Sequence, residues 1–135
     1  MRQQVICLGS KGSYGHCVAK WLADSGVGEG ADIVFVGSNQ DVLFSLAVGT
    51  NGEPSPIGVV PVYNTTEGYV HGVMRCLMKG ESRRDYYLTT REHLIPGETL
   101  HVVGKATLRI HHHLLVCDPR VSPNDIKTIV SHEQA

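Results

Sequence analysis

Several groups of residues in this chain have the types and spacing for chemistry. Asn64-Thr65-Thr66 follows an apolar run at 59–62 and precedes apolar residues at helical spacing: Val70, Val73, Met74 and Leu77. The pattern predicts a buried strand feeding a helix through a tight polar loop. Thr65 or Thr66 then serves as the helix N-cap, and Glu67 sits in the first turn, where its charge suits the helix dipole. The spare N–H groups and hydroxyls of such a loop suit a small carboxylate or phosphate. Tyr63, just before the loop, is a core or rim aromatic, or a hydrogen-bond donor to a ligand. Its phenol is not a carboxylate-like base near neutral pH.

A second group is Gly9-x-x-Gly12-x-x-Gly15, with Ser13 inside it. A dinucleotide fingerprint needs Gly-x-Gly-x-x-Gly and a carboxylate after the second strand. Here the spacing differs, and Gly37-Ser38 stand in the carboxylate's place. That leaves an anion-binding loop or a plain structural turn. A third group lies in the β-like run at 100–116, where Lys105, Arg109, His111 and His113 fall on one face at period two. Alternate histidines on a strand can hold a metal, and together with Arg109 they can hold an anion. An ordinary part-buried strand explains them equally. His112 falls on the other face and reads as structural.

These groups need a scaffold. Residues 4–8, 33–36 and 57–60 read as short apolar strands. Between them, Val18, Ala19, Trp21 and Leu22 form the inner face of one helix, ended by Gly26, Gly28 and Gly30. Val42, Leu43, Leu46 and Ala47 form that of another, with Ser38 as N-cap and Asp41 three residues later. Residues 51–56 read as a turn. Strand and helix alternate three times, so the fold class is α/β, with a mainly parallel sheet between helical layers. Ligands bind beyond the carboxyl ends of such strands, where loops 9–15, 37–39 and 61–66 meet. Residues 79–85 are a polar linker. Residues 86–93 and 100–116 read as antiparallel strands around the Pro96-Gly97 turn. Ser122-Pro123-Asn124-Asp125 starts a helical turn that runs through 126–130.

The bulk numbers agree with a single ordinary domain of 135 residues, 41% apolar, 19% charged, with net charge −1. No strong basic patch points to nucleic acid, and no apolar run is long enough to span a membrane. Cys7, Cys17, Cys76 and Cys117 are widely spaced in apolar settings, with no close pair for a metal. They are expected to be buried thiols of a cytoplasmic protein.

Four segments together resemble the prephenate dehydratases: Leu8–His16, Val59–Val70, Ile110–Leu115, and Ser131-His132-Glu133-Gln134-Ala135. They are similar to that family's glycine-rich opening loop, Asn-Ser/Thr loop, hinge strand and Ser-His-Pro-Gln-Ala motif, in family order. The resemblance implies two α/β lobes like those of type II periplasmic binding proteins, joined by long antiparallel hinge strands. It implies a cofactor-free reaction that expels water and carbon dioxide from prephenate to give phenylpyruvate. It also implies that Asn64 and Thr65 hydrogen-bond the substrate, Ser13 lines the opening loop, and Gln134 bonds from the far side of the cleft. Tyr63, Thr66, Arg109, His111 and His113 complete the expected substrate contacts.

The sequence departs from the family where Tyr63 replaces the usual glutamate, and where the 79–99 stretch is longer. The 135 residues also lack the second-lobe Thr-Arg-Phe motif, whose threonine is the family's expected proton donor. Residues 1–79 therefore read as the first lobe, 80–116 as linker and hinge, and 117–135 as a C-terminal helical segment. A half-clamp of this kind is expected to complete its cleft in a homodimer or larger homo-oligomer. The resemblance implies action on prephenate or a related chorismate-derived cyclohexadienyl carboxylate, and without that threonine the outcomes open besides dehydration are decarboxylation, isomerisation and ring closure without loss of water. The alternatives are a non-catalytic anion-binding or regulatory module, or a fragment of a longer dehydratase.

Overall fold

The computed structural model describes residues 2–26, 30–48, 54–78 and 100–131. Its first strand, β1 (Gln4–Leu8), runs through the middle of the sheet, with Val5 and Cys7 fully buried. β2 (Asp32–Val36) and β3 (Ile57–Val59) lie on either side, both parallel to it, giving the order β2-β1-β3. Val5 is level with Ile33 and Ile57, and Cys7 with Phe35 and Val59. Parallel neighbours require crossovers. Those crossovers contain α1 (Tyr14–Asp24) and α2 (Asn39–Val48).

Residue parity decides which helix covers which face. Val5, Cys7, Ile33, Phe35, Ile57 and Val59 share one face and pack with Ala19 and Leu22 of α1. Gly58 belongs to the other face and lies under α2. A Cβ added there would sit 2.5 Å from Leu46 Cδ1 and 3.0 Å from Val42 Cγ1. Its missing side chain lets α2 approach the sheet, and Val42 and Leu43 bury themselves in the contact. α3 (His71–Met78) packs beside α2, with Val73 and Cys76 buried. The expected three-layer α/β arrangement is present. No helix among the described residues is long and apolar enough to cross a membrane.

Several expectations are corrected. Trp21 does not face the core: it is 59% exposed, because Gly15, Ala19, Leu22 and Ala23 form the covered stripe of α1. Cys17 and Cys117 are exposed, so two thiols are buried rather than four. Among the described residues, 100–116 have no strand partner, and Val102, Val103 and Leu115 are each more than three-quarters exposed. Alternation marks two faces of a span but does not supply the neighbouring strand that makes it a sheet. The antiparallel partner expected at 86–93 lies outside the described residues. After Ser122 caps it, the C-terminal helical start amounts to one 3-10 turn, Pro123–Asp125, and 126–130 is not helical. Ahead of it Arg120 reaches back to Asp118 in an exposed two-pronged pair, which holds that carboxyl below the usual range.

Candidate functional site

The order β2-β1-β3 puts a topological switch between β1 and β3. The first crossover leaves β1 toward one side of the sheet and the second returns to the other. Loops at such a point part and leave a crevice beyond the carboxyl ends of the strands. The loops that leave this end of the sheet are 9–13 after β1 and 60–62 after β3, with 37–38 after β2 beside them. The Gly9 N–H ties the first to the end of β2 by donating to the Val36 carbonyl at 3.2 Å.

Ser13 is the N-cap of α1, and its Oγ accepts the His16 N–H at 3.2 Å. The hydroxyl proton stays available to a ligand. The Ser13 N–H closes a turn onto the Ser10 carbonyl, and the Gly12 N–H donates to His16 Nδ1 at 3.0 Å. The His16 ring also stands 5.5 Å from the Phe35 ring. On the neighbouring loop the Ser38 hydroxyl accepts the Asp41 N–H and donates to the Asp41 carboxylate at 2.7 Å, so the Ser-x-x-Asp reading is correct. Asn39 Oδ1, in the first turn of α2, is buried and has no hydrogen-bond partner among the described residues. Buried polar atoms of this kind are rare. Single-sequence reading passed over Asn39 because an asparagine after a cap looks like ordinary helix-start composition.

The Asn-Thr-Thr loop is built differently from the expectation. Residues 63–69 form a small antiparallel hairpin, β4 (Tyr63–Asn64) and β5 (Gly68–Tyr69), before α3 begins at His71. Asn64 organises it: its Oδ1 accepts the N–H of Thr66 at 3.0 Å and of Glu67 at 2.7 Å. Thr65 and Thr66 are therefore exposed at a hairpin tip and cap nothing, and Glu67 is not in a helical first turn. Gly68, at φ +82°, supplies the left-handed residue that closes the turn. Tyr63 and Tyr69 pair across the strands edge to face, with centroids 5.1 Å apart, both more than half exposed. The Val70 N–H donates to the Val62 carbonyl at 2.9 Å and extends the ladder. Asn64, Glu67, Gly68, Tyr69, Val70 and His71 line an open hollow on this hairpin.

The topology thus places Ser13 and the Tyr63–Thr66 segment on loops that leave the same end of neighbouring strands. Asn64 keeps its amide NH₂ for a ligand, since its oxygen is committed to the turn. Arg109, His111 and His113 are exposed and make no hydrogen bond or ion pair with these loops. Gln134 lies outside the described residues. Among the described residues no cluster of His, Cys, Asp and Glu could hold a metal ion.

No curated protein and no solved structure matches the chain. The family model described as prephenate dehydratase matches it over residues 5–135, from β1 through the loops after β1 and β3 to the last residue. On that match the chain belongs to the prephenate dehydratase family.

Proposed function

We propose that the crevice between the Gly9–Ser13 loop and the Tyr63–Glu67 hairpin binds prephenate or a related chorismate-derived cyclohexadienyl dicarboxylate, and that the chain acts on it as a dehydratase-like lyase. The observation that carries this reading is the position of both loops at the β1/β3 switch point, in a chain of this family. A dicarboxylate needs donors. Ser13 offers its hydroxyl, Asn64 its NH₂, and Thr65, Thr66 and Tyr63 their hydroxyls. The first-turn N–H groups of α1 add the positive end of a helix.

In the reaction, the bond between the ring and its carboxylate breaks and carbon dioxide leaves. The electron pair left behind makes the ring aromatic, and the ring hydroxyl departs as water after gaining a proton. Donors fixed on the carboxylates orient the substrate, and a donor beside the ring hydroxyl assists departure. Thr65 and Thr66 are the hydroxyls of the hairpin tip closest in sequence to Asn64, and they fill that role in this reading. In this reading a second copy of the chain covers the crevice. Its exposed 100–116 span buries Val102, Leu108, Ile110 and Leu114 and brings Arg109, His111, His113 and Gln134 toward the ligand.

Incubation with prephenate near neutral pH tests the reading. Phenylpyruvate formation supports it, and a different product supports a repurposed lyase. Sedimentation showing a monomer at micromolar concentration refutes the shared crevice. A binding-only module is the second reading, favoured by residues 61–66, where Tyr63 is the one ionisable side chain. Saturable binding without turnover identifies it.

A further inference from the structure

We propose that His16 is the positioning residue of the glycine-loop side of the crevice, holding Ser13 and the first turn of α1 in place without adding negative charge. The inference rests on the reading above, that this edge receives an anionic ligand. Ser13 and His16 occupy the first and fourth positions of a capping box. The N-cap oxygen accepts the His16 N–H at 3.2 Å, as in any such box. In the usual box a glutamate or glutamine returns to the N-cap's own N–H. Here that N–H is already bonded to the Ser10 carbonyl at 3.1 Å, and the imidazole reaches one residue further back, to the Gly12 N–H at 3.0 Å.

The choice of ring has a chemical consequence. To accept the Gly12 N–H, Nδ1 must be unprotonated, which puts the ring proton on Nε2. Phe35 braces the ring from β2 at 5.5 Å. The Gly9, Gly12 and Ser13 N–H groups are all committed inside the protein. The donors left at this end are the Ser13 hydroxyl and the N–H groups of Tyr14 and Gly15, which have no partner among the described residues. A glutamate at position 16 would tie the loop equally well, but it would place a carboxylate among donors meant for an anion. A neutral imidazole keeps the loop closed and the helix end positive.

Three variants test this in the full chain. His16→Asn keeps a neutral acceptor at the δ position, His16→Phe keeps a ring without an acceptor, and His16→Glu supplies the ordinary capping box. Nitrogen NMR of the wild type is expected to show Nδ1 unprotonated. Amide exchange at Gly12 is expected to quicken about 2- to 10-fold in His16→Phe and to stay slow in His16→Asn. His16→Glu is expected to unfold at the wild-type denaturant midpoint yet bind prephenate at least about tenfold more weakly, through like-charge repulsion. A purely structural cap would leave that binding unchanged. A protonated Nδ1, unchanged Gly12 exchange in His16→Phe, or wild-type affinity in His16→Glu overturns the proposal. If the wild type itself fails to bind prephenate, the ligand assignment falls. The nitrogen signal and the Gly12 exchange then decide by themselves whether His16 holds the loop.

Discussion

Asn64 allows a structural role to be separated from a ligand role by two substitutions. Its Oδ1 accepts two backbone N–H groups, at 3.0 and 2.7 Å, and so closes the hairpin on which the Tyr63–Tyr69 pair sits. Asn64→Ala removes both bonds. Thr66 and Glu67 are exposed, so their N–H groups regain water, and each lost bond falls at the low end of the usual range, about 0.5 kcal/mol. The sum, about 1 kcal/mol, corresponds to a fall in melting temperature of about 4 °C for a chain of this size. Asn64→Asp keeps the acceptor oxygens and is expected to stay within about 0.5 kcal/mol of the wild type. It loses the NH₂ donor and gains a negative charge, so affinity for prephenate should fall at least about tenfold. Thermal denaturation followed by circular dichroism reads the first effect, and calorimetric titration reads the second. If Asn64→Asp is as destabilising as Asn64→Ala, the side-chain oxygen does not hold the hairpin. If Asn64→Asp binds prephenate as well as the wild type, Asn64 does not touch the ligand.

Gly58→Ala drives a methyl group into Leu46 and the fully buried Val42, and should cost about 1–2 kcal/mol by denaturant titration. Shortening Leu46 to Ala in the same chain should recover part of that loss, whereas strict additivity would show that the two side chains do not meet. Burial raises the Cys7 thiol above its ordinary pKa, so the native state resists its ionisation while the unfolded chain does not. Stability is therefore fully present below the ordinary thiol pKa of about 8.5 and declines as pH rises through it. That decline should flatten in Cys7→Ala. Thiol labelling of the native protein should modify Cys17 and Cys117 rapidly and spare Cys7 and Cys76, and rapid modification of all four would contradict the packing around β1 and α3.

The parallel sheet was legible because apolar runs of strand length alternate three times with apolar residues at helical spacing. Ser38 with Asp41 was legible too, since the side chains bond as their spacing implies. The hairpin at 63–69 was hidden by a competing signal. Val70, Val73, Met74 and Leu77 fall at helical spacing, and the pattern was extended backward into residues that follow hairpin rules instead. The signs were present in Asn64, Gly68 and the flanking Tyr63 and Tyr69, which combine a side-chain turn, a left-handed glycine and a cross-strand aromatic pair. The span at 100–116 shows another limit: period two describes a strand's faces, whereas a strand's existence depends on residues far away in sequence, and the expected partner at 86–93 lies outside the described residues. His16 was seen only as a letter in a loop motif, because its role depends on a ring nitrogen meeting a backbone amide four residues back.

The outward position of Trp21 bears on how unfolding can be observed. This is the chain's single indole, and it already meets water in the native state. Its emission should therefore change colour little on denaturation, so a flat fluorescence trace would be no sign that the protein resists urea. Conversely, a dye or quencher added to the native protein should reach that indole freely. It could then serve as a beacon for whatever settles against the outer side of α1.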